Sequence, residues 1–182
     1  MSGKGRHRVL AVTSPDPVLG LVSSIGLAAS AGTALVVDLA APPGGPGRSL
    51  ADVAGEGPRR AELSPGRRGV ALIGGGGVGA ETAAEVVEGL SLHWPAVVVR
   101  AGEGSWPGPT VPVVPLYPGW LAPTRPEVAV WQPLGVGTRP PGAGPVLPPL
   151  GGWLVKTLLR GRLPRRSRWM RAWDQVWGMP WA

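Results

Sequence analysis

The chain has 182 residues, 30 of them Gly and 23 Pro, with no Cys and no Phe. This length suits one domain with a tail better than two independent domains. The absence of Cys excludes disulfides, thiolate metal sites and cysteine nucleophiles. The formal net charge is +7, and residues 151–182 hold seven Lys or Arg against Asp174 alone, whereas residues 1–150 hold eleven basic and ten acidic residues. An acidic partner is therefore expected at the C-terminal segment.

The first 40 residues predict a strand, a helix and a second strand. Arg8–Thr13 is a short apolar run typical of a buried strand. Ser14–Gly20 predicts a loop and Leu21–Ser30 a helix. Thr33–Leu39 predicts a second strand, with Asp38 near its end. This order makes a βαβ unit, which implies parallel pairing and a right-handed crossover.

The uncharged segment 17–37 leaves a second interpretation open. It follows the basic residues Lys4, Arg6 and Arg8, as a signal peptide or a membrane span would. Its Ser and Gly content and its division into a helical half and a strand half favour an α/β domain instead. We therefore expect a cytoplasmic protein, with peripheral association at the inner face of the membrane as the alternative.

The alternation of strands and helices resumes after a Pro-, Gly- and Arg-rich loop at 41–69, which holds at most one short helix around Ser49–Ala54. Pro112 and Pro115 lack ladder donors, so the strand that contains them is expected at a sheet edge. The predicted elements are a strand at Gly69–Ile73, a glycine run at Gly74–Gly79, a helix at Ala80–Leu90, a strand at Ala96–Arg100, and edge strands at Val111–Leu116 and Val128–Trp131. We predict an α/β fold with a mostly parallel sheet, of the three-layer type found in P-loop and Rossmann proteins, over residues 1–132.

Beyond this domain, residues 133–151 predict a Pro/Gly-rich linker and residues 152–182 a basic, Trp-rich amphipathic tail of two short helices separated at Pro164. One helical face of the tail carries Trp169, Met170, Trp173, Val176 and Trp177. That face either packs on the protein's own sheet or binds externally to a membrane surface, a protein partner or nucleic acid. The residues assigned to external binding are Trp169, Met170, Trp173, Trp177, Arg165, Arg166, Arg168 and Arg171.

Gly74, Gly76 and Gly79 have the G-x-G-x-x-G spacing that lets a backbone approach a pyrophosphate between a strand and a helix. The acidic ribose ligand expected after the next strand is replaced by Arg100, which suits a 2′-phosphate. The alternatives are a dinucleotide site formed by these four residues and a tight strand-to-helix turn without a ligand.

The sequence does not contain the residue patterns that other common catalytic sites require. A P-loop needs a lysine beside Ser or Thr, and the two lysines, Lys4 and Lys156, lie outside any glycine-rich strand-to-helix loop. His7 and His93 are the two histidines, and neither has neighbours that predict a metal site or a catalytic triad. We expect a non-catalytic protein rather than an enzyme, with no cofactor unless the glycine loop binds a dinucleotide.

The segment 8–40 resembles the opening of a MinD/ParA-type ATPase. That family begins with a strand, a deviant Walker A loop, a helix and a second strand ending in Asp. Arg8–Thr13 stands at the first strand, Ser14–Gly20 at the Walker loop, and Asp38 at the end of the second strand. The run HWPAVVVRAG at 93–102 is similar to the strand that carries the family's switch aspartate, with Arg100 in that region. The resemblance covers residues 8–118.

The Walker loop of this chain lacks the glycines and both lysines of the family, so ATP hydrolysis does not carry over to any residue. The chain looks like the degenerate MinD-like proteins that accompany pilus and secretion ATPases in actinobacteria. That resemblance implies a regulatory or scaffold protein that docks on a membrane surface or a protein partner through its tail. The alternatives are a Rossmann-type nucleotide-binding protein using Gly74–Gly79 and, third, a nucleic-acid-binding protein using the basic tail.

Overall fold

The structure is a computed structural model that describes residues 7–64, 69–102, 106–119, 126–135 and 140–181. Its strands are β1 Val9–Thr13, β2 Ala34–Asp38, β3 Val70–Gly74, β4 Val97–Arg100, β5 Thr110–Leu116 and β6 Val130–Pro133. Its α-helices are α1 Pro17–Ser30, α2 Leu50–Glu56, α3 Arg60–Leu63, α4 Ala80–Ser91, α5 Gly152–Leu159 and α6 Arg168–Ala172, followed by a 3₁₀ helix at Trp173–Gly178.

The six strands form one sheet in the order β3-β2-β4-β1-β5-β6, and every adjacent pair is parallel. Helix α1 and the C-terminal helices cover one face, and α2 and α4 cover the other. The predicted three-layer α/β fold is therefore confirmed. Because helices cover both faces, central strands such as β2 are buried at every residue and are apolar up to Asp38.

Helix α1 begins at Pro17, four residues before the predicted start at Leu21. Asp16 caps it, because the Asp16 Oδ1 atom accepts a hydrogen bond of 2.8 Å from the Leu19 N–H. Pro17 then occupies the first helical position, where its missing N–H costs no hydrogen bond. Much of the segment predicted as a Walker-like loop is thus the first turn of a helix.

Strand β5 was predicted at a sheet edge and instead lies between β1 and β6. The Ala11 N–H donates to the Pro109 carbonyl, and the Leu134 N–H donates to the Leu116 carbonyl. The backbone N–H and C=O groups of odd-numbered residues in β5 therefore point towards β1, and those of even-numbered residues point towards β6. Pro112 precedes the first pair with β6, and Pro115 lies beyond the last pair with β1. Neither proline removes a ladder hydrogen bond, which corrects the prediction.

The described part of the predicted linker, residues 140–151, packs against β6. The Leu147 N–H donates to the Trp131 carbonyl at 2.8 Å, and the Leu147 side chain is buried. The Trp131 indole N–H donates to the Ala143 carbonyl at 3.0 Å. This segment covers the outer edge of β6, where unpaired backbone groups would otherwise be exposed.

The C-terminal helices pack on α1. A Cβ atom added at Gly26 would lie 2.6 Å from the Trp169 ring and 2.7 Å from Trp173 Nε1, so the absence of a side chain there lets both indoles approach the helix. Trp177 Nε1 donates to the Leu27 carbonyl at 3.1 Å. Trp169 Nε1 donates to the buried Gln132 Oε1 at 2.6 Å. The tail is therefore joined to both α1 and β6.

Residues 17–37, weighed above as a membrane segment, form α1 and most of β2. Throughout the described ranges, no helix combines the length and the apolar content needed to cross a bilayer.

Candidate functional site

A cavity of about 500 Å³ opens at the carboxyl ends of β1, β2 and β4. Open parallel sheets bind ligands at this edge, where the connections of neighbouring strands leave to opposite faces. Here the connection after β1 leads to α1 on one face, and α4 approaches from the other. The lining residues are Val12, Ser14, Pro15, Asp16, Pro17, Gly20, Leu39, Ala40, Val78, Ala80, Arg100, Ala101 and Gly102.

A buried ion pair forms one wall of this cavity. Arg100 Nη1 donates to both carboxylate oxygens of Asp38, at 3.0 and 2.9 Å. The two side chains are 12% and 7% exposed, and the residues are register partners on β4 and β2. Arg100 Nη2 also donates to the Pro17 carbonyl at 3.0 Å, so the guanidinium joins α1 to both strands. Its charge is neutralised within the protein.

The loop before α1 adds a second carboxylate to the cavity. Asp16 Oδ1 accepts from the Leu19 N–H, and the Asp16 N–H donates to Ser14 Oγ at 3.3 Å. Within the described residues, Asp16 Oδ2 has no protein partner and Asp16 forms no ion pair. Two charged side chains, Asp16 and Arg100, line the cavity, and Asp38 behind the wall pairs with Arg100, so the three together carry one negative charge. A phosphate group at this wall would meet a carboxylate that has no counter-ion among the described residues.

The glycine loop after β3 is filled by the chain itself. A Cβ atom at Gly76 would lie 2.4 Å from Ser49 Oγ, and one at Gly75 would lie 3.0 Å from Leu39 Cα. The Gly75 carbonyl accepts from the Ala51 N–H at 3.2 Å. The space beside Gly75 and Gly76 is thus occupied by Leu39 and by the start of α2.

The four residues predicted for a dinucleotide are consequently not brought together around one space. Arg100 lines the cavity, whereas Gly74, Gly76 and Gly79 are not among the lining residues of that cavity. Gly79 precedes the first residue of α4 and has open space around it. Arg100 is engaged by Asp38, which leaves its guanidinium without a free charge for a 2′-phosphate.

The apolar residues assigned to external binding lie in the core. Trp169, Met170, Trp173 and Trp177 are all at most 3% exposed. Of the two alternatives, the structure shows the first: the apolar face of the tail packs on the protein's own domain. By contrast, the arginines assigned with them are exposed: Arg165, Arg166, Arg168 and Arg171.

Helix α5 and the turn after it hold further exposed basic residues. We define the cationic surface as Trp153, Lys156, Leu159, Arg160, Arg162, Arg165, Arg166, Arg168 and Arg171. Trp153 is 70% exposed and Leu159 49%, which sets them apart from the buried tryptophans that follow. The carboxylate of this segment is Asp174. Trp153, Lys156 and Arg160 are three and four residues apart, so they share one face of α5.

Sequence reasoning missed Trp153 because, among the apolar residues of the tail, it assigned external binding only to the helical face at 167–177. The available signal was that Trp153 recurs with Lys156 and Arg160 at helical spacing, while Leu154 and Leu158 form the opposite, buried face. Ser14 was missed as well, and the sequence contains no pattern that singles it out.

Comparison of the chain with known protein families, with characterised proteins and with solved structures finds no significant match.

Proposed function

We propose that the protein is a non-catalytic regulatory or scaffold protein that docks on an anionic membrane surface through the cationic surface. The observation that carries this proposal is Trp153, a 70%-exposed indole on the same helical face as Lys156 and Arg160. Exposed Trp side chains favour the bilayer interface, and adjacent Lys and Arg bind anionic headgroups. A resemblance to MinD-like proteins that lack the Walker lysines is part of the same proposal.

The distribution of charge supports an anionic surface as the partner. Seven basic side chains of the C-terminal segment are exposed, while the rest of the chain is nearly neutral. Basic residues near an anionic bilayer contribute about 1 kcal/mol each before screening. Leu159, at 49% exposure, adds exposed apolar area at the C-terminal end of α5. Single-stranded nucleic acid is less well matched, because it needs several exposed aromatic rings for successive bases.

The test is co-sedimentation of the full chain with vesicles of phosphatidylcholine alone and of phosphatidylcholine mixed with phosphatidylserine, at low and high salt. We expect binding to the mixed vesicles only, weakened by salt, with a blue shift of tryptophan emission. Trp153→Ala should reduce the shift and weaken binding, because Trp153 is exposed whereas Trp169, Trp173 and Trp177 are already buried.

The matched controls remove equal charge from different surfaces. Arg160→Gln with Arg162→Gln should weaken binding, whereas Arg59→Gln with Arg60→Gln, two exposed positions at α3, should not. Equal loss in both pairs would mean that net charge alone, and no defined surface, holds the protein to the vesicle. Preferential binding to a single-stranded oligonucleotide with a steep salt dependence would replace the membrane by nucleic acid as the partner.

A further inference from the structure

The cavity at the carboxyl ends of β1, β2 and β4 has the properties of a small-molecule site that is independent of the cationic surface. Its volume of about 500 Å³ lies within the range of ligand pockets, about 300 to 1,000 Å³. The hydrogen bonds from Arg100 to Asp38 and to the Pro17 carbonyl connect three of its walls. These hydrogen bonds hold the start of α1 and the ends of β2 and β4 together at the wall that Arg100 forms.

The polar atoms left open on the wall favour a hydrogen-bond donor. Asp16 Oδ2 has no partner within the described residues, and Ser14 Oγ accepts only the long bond from the Asp16 N–H. Arg100 already donates three hydrogen bonds to protein oxygens. A carboxylate oxygen open to the cavity beside a hydroxyl group can accept charge-assisted hydrogen bonds from an ammonium or guanidinium group.

The other side chains of the lining are apolar. Leu39 and Val78 are partly exposed and would contact methylene groups rather than a second charge. Among the described lining residues, Arg100 is the one basic side chain, and because it is paired with Asp38 a long anionic ligand finds no free cation there. The same features that disfavour a nucleotide thus favour a short aliphatic chain that ends in a cation.

We propose that this cavity binds a small organic cation of the alkylamine or alkylguanidine class, with the cationic group at Asp16 and Ser14. The cavity and the two open oxygens together carry the proposal. It does not depend on the proposed membrane function, because Asp16 and the cationic surface lie on different parts of the chain.

The experiment is isothermal titration of the full chain with agmatine, which has an amine at one end and a guanidinium at the other, at constant ionic strength. Asp16→Asn is the informative variant, because Asn caps a helix as well as Asp and removes only the charge. We expect saturable agmatine binding that the variant weakens about tenfold, as the loss of a charge-assisted hydrogen bond predicts. Asp174→Asn, which removes an exposed carboxylate elsewhere, should bind agmatine as the parent does.

The proposal is overturned if agmatine shows no saturable binding, or if Asp16→Asn binds it as tightly as the parent protein. It is also overturned if ATP or NADPH binds and agmatine does not, because an anionic ligand requires a net positive cavity. Vesicle binding by Asp16→Asn should remain unchanged. A negative result with agmatine therefore does not contradict the proposed membrane binding.

Discussion

The Arg100 guanidinium is nearly buried, and its neutralisation depends on Asp38 alone among the described carboxylates. Removing one partner of such a pair leaves the other charge with neither water nor a counter-ion. Removing both leaves no buried charge. The two cases therefore differ strongly in their effect on the free energy of unfolding.

We predict that Arg100→Met lowers the free energy of unfolding by about 3 to 5 kcal/mol, the usual cost of leaving a buried partner uncompensated. The double variant with Asp38→Leu should lose less than the single variant. Urea denaturation of the three proteins provides the values. A loss in the single variant no larger than that in the double variant would show that the pair is not coupled.

The sequence predicts each member of this pair only in part. Asp38 is recognisable as the acidic end of a strand, and Arg100 as a basic residue where an acidic one is expected. That they meet depends on β2 and β4 being neighbours in the sheet, with these two residues in register. Strand order and register arise from packing across 62 positions of sequence, which a local pattern does not encode.

At the scale of elements, the start of α2 has a capping box. Ser49 Oγ accepts from the Asp52 N–H, and Asp52 Oδ2 accepts from the Ser49 N–H at 2.7 Å. The hydrogen bond from the Ser49 backbone, followed by that from its hydroxyl, lowers the pKa of Asp52 below its ordinary value. The folded state therefore favours the ionised carboxylate.

This lowered pKa makes the contribution of Asp52 depend on pH. The contribution of the Asp52 carboxylate to the free energy of unfolding is complete above its pKa in the unfolded chain, near 4. It is lost as the pH falls through the lower pKa of the folded state. We predict that Asp52→Asn is less stable than the parent at pH 7 and that the difference shrinks below about pH 4. Urea denaturation at several pH values tests this, and a difference that stayed constant with pH would contradict it.

The limits of sequence reasoning on elements are visible in α1 and β5. The first turn of α1 contains Pro17 and Gly20, which read as loop residues until the Asp16 cap is recognised. The prolines of β5 would require an edge position only if both neighbouring strands paired with β5 along its full length. Instead β1 pairs with the first part of β5 and β6 with the last part, so neither proline lacks a hydrogen bond that the ladder needs. This offset depends on three strands together and is not visible in the sequence of one of them.

At the scale of the whole molecule, the tail and the α/β domain share a hydrophobic core. Trp169, Trp173 and Trp177 belong to the same buried cluster as Leu10, Val36 and the inward face of α1. Amphipathicity predicted that residues 167–177 have an apolar face, but the partner of that face was left open. Gly26 is the feature that decides it, since its missing side chain makes the space the two indoles fill.

We predict that a chain ending at Gly151 does not form the native core, because removal of the C-terminal helices exposes the apolar side of α1 to water. Near-UV circular dichroism should be lost and binding of a hydrophobic dye should appear. The full chain should unfold in one transition, with tryptophan emission and far-UV dichroism coinciding. A truncated chain with a cooperative transition of its own would contradict a shared core.

The attachment of the tail also has a consequence for the order of events during synthesis. Trp177 contacts the Leu27 carbonyl across 150 positions, and His7 Nε2 lies 3.2 Å from the Met179 carbonyl across 172. Until residues 169–179 have been translated, α1 lacks the indoles that cover it, so this face of the sheet cannot be completed on the ribosome segment by segment. Such long contact order slows folding and prolongs the exposure of apolar surface in the nascent chain. The protein is therefore a candidate substrate for chaperones that bind exposed apolar helices while translation is still under way.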